Sequence, residues 1–116
     1  MKPVLVVDDE REIREAISEI LREEGYDVVA AADGKEALLR LREFHPSLVL
    51  LDLMMPGMNG WEFRAAQMGD PTVSSIPVII VSALGNDTSL KAQSAVEKPF
   101  DLARLLSEVK RLAVTA

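Results

Sequence analysis

The chain reads as an α/β domain in which a parallel sheet lies between two layers of helices. Three observations carry this. Val4–Val7, Leu48–Leu51 and Pro77–Val81 are apolar at every position, as strands covered on both faces must be, and two shorter runs flank them. Between them, apolar residues recur at helical spacing. At 116 residues, 48% hydrophobic and 28% charged, the chain has room for one unit of this kind with a substantial core. Residues 1–116 are therefore read as a single domain.

The elements follow in order. Val4–Val7 is the first strand. Ile13, Ala16, Ile17, Ile20 and Leu21 then form a helical stripe, and Gly25 is placed to end that helix. Asp27–Ala31 is the second strand. Asp33, with Glu36 three residues on, has the form of a capping box, and Ala37, Leu38, Leu41 and Phe44 carry an apolar stripe up to Pro46. Leu48–Leu51 is the third strand, and Asn59–Gln67 a short helix opening at Asn-Gly. Pro77–Val81 is the fourth strand. Asp87–Gln93 has only a weak helical pattern, and Ala95–Glu97 is a brief fifth strand. Asp101 caps a last helix whose apolar face is Leu102, Leu105, Leu106, Val109 and Leu112.

Composition removes several functions. A net charge of −6 argues against direct nucleic-acid binding, which needs a basic face. No apolar run approaches the roughly 20 residues of a membrane span. The opening "MKPVLVVDDE" has too short an apolar stretch for a signal peptide. No cysteine is present, which excludes thiol catalysis and zinc–thiolate sites and fits a cytoplasmic protein. With one histidine, a mechanism needing a histidine pair is excluded. That residue, His45, precedes Pro46 at a helix end and reads as surface.

In parallel sheets of this kind, sites form beyond the carboxyl ends of the strands. The polar residues there make a consistent set: Asp8 and Asp9 after the first strand, Asp52 after the third, Ser82 after the fourth and Lys98 after the fifth. Asp8 and Asp9 would also serve as caps for the helix that follows. Carboxylates gathered so closely repel one another unless a cation sits among them. A donor set of hard oxygens, without imidazole or thiolate, favours Mg²⁺. Lys98 matches an anion, and the Ser82 hydroxyl can donate to it. A carboxylate nucleophile with a divalent cation and a lysine suits phosphoryl transfer, with Asp52 taking the group as an acyl phosphate. Met54, Met55 and Met58 read as loop packing, and Trp61, which opens the third helix, as partly exposed packing.

"VLVVDDE", "LVLLDLMMPGMNGWEF", "PVIIVSA" and "EKPF", in this order, resemble the receiver domain of bacterial two-component response regulators. The resemblance runs from Val4 to the last helix. It implies a flavodoxin-like (βα)5 three-layer sandwich with strand order 2-1-3-4-5. It implies that Asp52 is the phospho-acceptor and that Mg²⁺ is held by Asp8, Asp9, Asp52 and the backbone carbonyl of Met54. Ser82 stands where the family's phosphoryl-binding hydroxyl lies, Lys98 is the lysine that pairs with the group, and the Lys98–Pro99 peptide is expected to be cis. The implied donor is a phosphohistidine on a sensor histidine kinase or a histidine phosphotransfer protein. The chain would act as a monomer or weak dimer on a downstream effector. It would be no enzyme beyond its own phosphorylation and dephosphorylation.

Two departures bear on the readout. Relatives usually carry Phe or Tyr three residues before the lysine, where this chain has Ala95. Only 15 residues separate Ser82 from Lys98, which predicts a shortened or irregular fourth helix. Both features leave open a second function, a phosphorylation-independent interaction module with the same fold. A phosphohydrolase with an Asp nucleophile is disfavoured, because Met54 stands where a second Asp would act as acid and base.

Overall fold

In the computed structural model, which describes residues 2–113, every residue of β1 (Val4–Val7), β3 (Leu48–Leu51) and β4 (Val78–Ser82) is buried. Continuous apolar runs become central strands because water reaches neither of their faces. The flanking strands β2 (Val28–Ala31) and β5 (Ser94–Glu97) are less completely covered. All neighbours pair in parallel, in the order β2-β1-β3-β4-β5, as the resemblance implies.

The period of two along each strand divides the core in half. Leu5, Val7, Val49, Leu51, Val78 and Ile80 face one layer and pack with Ala37, Leu41 and Phe63. Val4, Val6, Leu48, Leu50, Ile79 and Val81 face the other, with Ile17, Leu21, Leu105 and Val109. The first layer is built on helices α2 (Gly34–Phe44) and α3 (Gly60–Met68), the second on α1 (Arg11–Glu23) and α4 (Leu102–Leu112). Each fully buried Leu or Ile contributes about 1.5–3 kcal/mol relative to an exposed one.

Helix boundaries follow local chemistry. At the end of α1, Gly25 adopts φ +94°, its N–H donating to the Arg22 carbonyl at 3.0 Å, so the chain turns out of the helix where expected. The Asp33 side chain accepts from the Glu36 N–H at 2.8 Å. The complete reciprocal box occurs on α3 instead, between Asn59 and Glu62. Asp101 caps α4 through the Ala103 N–H at 2.9 Å.

Several expected boundaries move by a residue. β2 begins at Val28, although the Asp27 carbonyl still accepts from the Val4 N–H. β4 omits Pro77, which has no N–H for the ladder, and takes in Ser82. β5 begins at Ser94, and α3 runs over Gly60–Met68 with Asn59 as its cap. Three residues of the expected helix stripes are exposed. Ala16 lies off the Ile13–Ile17–Leu21 line, and Phe44 and Leu102 sit at helix ends.

The largest difference from five regular β–α units lies between β4 and β5. A single 3-10 turn, Thr88–Leu90, stands where a helix would, bracketed by positive φ at Gly85 and Lys91. This is the shortened fourth helix in its extreme form. The Lys98–Pro99 peptide is cis, as implied.

Candidate functional site

Register brings the acids together. Val7 of β1 pairs with Leu51 of β3, so Asp8 and Asp52 leave the sheet side by side. The Asp52 N–H donates to the Val7 carbonyl at 3.0 Å, and the Asp8 N–H to the Ala31 carbonyl at 3.1 Å. On the other side Ser82 pairs with Glu97, and the Lys98 N–H donates to the Ser82 carbonyl at 3.0 Å. Four of the residues selected from the sequence therefore meet at one rim through backbone pairing alone.

Their side chains converge on the lysine. Lys98 Nζ lies 2.8 Å from Asp8 Oδ2, 3.7 Å from Asp52 Oδ2 and 3.7 Å from Glu10 Oε1. Asp8, Asp52 and Ser82 are buried, whereas Asp9 and Glu10 face solvent. Burial favours the neutral amine of Lys98. The hydrogen bond and charge of Asp8, with the charges of Asp52 and Glu10, outweigh it and hold the ammonium above its ordinary range.

Asp52 is strained electrostatically. Burial and the neighbouring Asp8 push its carboxyl from 3.8 up to about 6, against the opposing pull of Lys98 and the Met54 N–H. That N–H lies 3.4 Å from Asp52 Oδ1, while the Ser82 hydroxyl oxygen accepts from the Leu84 N–H at 3.3 Å. One cation thus serves two buried acids, and the site carries more negative charge than its own residues neutralise.

Ligand atoms from Asp8, Asp9 and Glu10 all lie within 4.8 Å of one another, close enough to share a metal ion. Asp52 is not in that trio and is linked to it through Lys98. Glu10 is the member that sequence reasoning missed. Its signal was its place directly after the Asp pair in "DDE". The all-oxygen donors and the unrelieved charge at Asp52 fit a hard divalent cation.

Sequence reasoning also missed two buried polar residues of α3, Arg64 and Gln67. Arg64 donates to the carbonyls of Leu90 and Lys91 at 3.0 and 2.9 Å and to Gln67 Oε1 at 2.7 Å. Gln67 donates in turn to the carbonyls of Val73 and Ile76. Trp61 is half-buried, as packing would have it, and also donates through Nε1 to Asp87 Oδ2 at 2.9 Å. His45 is exposed.

Several solved structures are similar to this chain over nearly its whole length. The chemotaxis protein CheY4 of Vibrio cholerae superposes with a TM-score of 0.88 at 30% identity, covering 97% of this chain and 98% of that one. The response regulator TrrA of Thermotoga maritima, solved in complex with Mg²⁺-BeF, gives 0.84 at 36% identity, over 97% of this chain and 99% of its own. Response regulator RR06 of Streptococcus pneumoniae is 43% identical over 94% of this chain and 52% of its own length, so the chain spans about half of that relative. The family described as the response regulator receiver domain matches residues 4–110. The chain belongs to that family, the signal-receiving domains of two-component systems. No helix among the described residues is long and apolar enough to cross a membrane.

Proposed function

We propose that Asp52 accepts a phosphoryl group from a phosphohistidine on a sensor histidine kinase or histidine phosphotransfer protein in the cytoplasm. The observation that carries this is a buried carboxylate, Asp52, which shares one lysine with a second buried acid, Asp8. An Asp52 oxygen attacks phosphorus, the P–N bond breaks, and the electron pair leaves with the imidazole as the acyl phosphate forms. Lys98 pairs with the oxygens of the arriving group, and Ser82 turns its hydroxyl to donate to them. Hydrolysis reverses the state: water attacks phosphorus and the Asp52 carboxylate leaves.

Asp8, Asp9 and Asp52, with the Met54 carbonyl and Glu10 close by, would hold Mg²⁺. When bound, the ion neutralises charge on the phosphoryl oxygens. Binding and release of the phosphoryl group would then alter the affinity of this domain, as monomer or weak dimer, for a downstream effector.

The test is incubation with acetyl phosphate and Mg²⁺, read by intact mass. A gain of one phosphoryl group that disappears in Asp52→Ala supports the assignment. Ala95 and the single 3-10 turn before β5 favour a second reading, a module that binds without phosphorylation. Absence of any adduct in the unmodified chain would select that reading.

A further inference from the structure

The segment that replaces the fourth helix is tied to the rest of the molecule unevenly. At its far end the ties are strong. Arg64, 3% exposed, donates to the carbonyls of Leu90 and Lys91, and Val78 and Gln93 exchange two hydrogen bonds at 3.0 and 2.7 Å. Breaking the Arg64 contacts would leave a buried cation without acceptors, a costly event. Leu90, Ala92 and Ala95 pack on the core beside them.

The near end is held to the site itself. The Leu84 N–H meets the Ser82 hydroxyl oxygen, and the Gly85 N–H meets the Ser82 carbonyl at 3.1 Å. Between the two ends, one hydrogen bond joins the segment to α3, from Trp61 Nε1 to Asp87 Oδ2. It is partly exposed, so water can replace either partner. α3 is held at its first residue against the end of β3. The Gly60 N–H is bonded to the Leu53 carbonyl at 3.0 Å, and even a methyl at Gly60 would lie 2.6 Å from the Asp52 carbonyl oxygen.

We infer that the Trp61–Asp87 hydrogen bond is the contact through which the state of the site reaches the outer face of α3. This rests on the proposed phosphorylation of Asp52. When the Ser82 hydroxyl turns toward an anion on Asp52, it draws on the Leu84 N–H. The displacement runs along the chain to Gly85, whose φ of +70° leaves it free of side-chain constraint. The Arg64 anchor stops it beyond Leu90. Asp87 lies between, so the Trp61 bond opens and the indole gains water. The part usually taken by an aromatic residue at position 95 passes here to a tryptophan on α3.

Trp61 is the only tryptophan, so its emission reports this contact directly. The experiment treats the protein with acetyl phosphate and Mg²⁺ and follows intact mass, emission wavelength and acrylamide quenching together. The expected result is a shift to longer wavelength and stronger quenching that grows with the fraction phosphorylated. Asp87→Ala, a change at a partly exposed position, should form the adduct normally. Its emission should already be shifted before treatment and should move no further. An adduct that leaves Trp61 emission and quenching unchanged overturns the inference alone, as does Asp87→Ala responding like the parent chain. Absence of any adduct overturns the phospho-acceptor reading, and the inference with it.

Discussion

Lys98 stands between Asp8 and Asp52, and the two acids do not share it equally. Asp8 takes the closer contact, 2.8 Å against 3.7 Å, and Asp52 is left under-compensated. Its carboxyl, pushed up to about 6 from 3.8, binds a proton more tightly folded than unfolded. Asp52 therefore favours the fold below 3.8, and that contribution is lost as pH rises through about 6. Replacing it by a neutral isostere removes a cost that exists only at higher pH. Without divalent cations at about pH 8, Asp52→Asn should be more stable than the parent by roughly 1–3 kcal/mol. The advantage should vanish as pH falls toward 3.8, as measured by urea unfolding across the range. A stability difference independent of pH would contradict the electrostatic account.

At the scale of elements, α3 depends on a close approach rather than on its own helical propensity. Its first residue, Gly60, lies against the backbone where β3 ends, with the Leu53 Cα 2.7 Å from where a Cβ would stand. Gly60→Ala should therefore lower stability by about 1–3 kcal/mol through overpacking, shifting the urea midpoint at constant slope. Gly69, at the other end of the helix, has φ −80° and its nearest contact at 3.6 Å; Gly69→Ala should be neutral within about 0.5 kcal/mol. The Asn-Gly opening of this helix was legible in sequence, but its Asn59–Glu62 capping box was not read there; the box was expected at Asp33 and Glu36 instead. The strands were equally legible, since residues such as Val4–Val7 and Leu48–Leu51 leave no polar face to misread. Arg64 and Gln67 were not. A charged and an amide side chain on a helix read as solvated, and only the irregular backbone at Leu90–Lys91 and Val73–Ile76, far along the chain, supplies the carbonyls that bury them. The site followed the same division. Asp8, Asp52, Ser82 and Lys98 were placed by strand ends, whereas Glu10 was recognised only once its carboxylate lay near Lys98.

For the whole molecule, the net charge of −6 and the acids of the rim act in one direction, and a cation that binds only the folded state must stabilise it. Mg²⁺ at about ten times its dissociation constant should add about 1.4 kcal/mol, seen as a rise in melting temperature. Asp9→Asn, at an exposed position, should melt like the parent without metal and lose most of that rise. An equal rise in both proteins would place the effect on general charge screening instead. The ladder joining β1 and β3 also works as a gauge. Val4 through Val7 meet Leu48 through Leu51 one for one, and the two acids are simply the next rung. Deleting a single residue from either strand would slip one rail by a step, and alternation would turn its acid to the opposite side of the sheet. The greasy runs would tolerate such a slip, since both of their faces are apolar, so the fault would appear first as a lost rung of charge. The spacing of two carboxylates is thus a measure of how faithfully the centre of the sheet has been assembled.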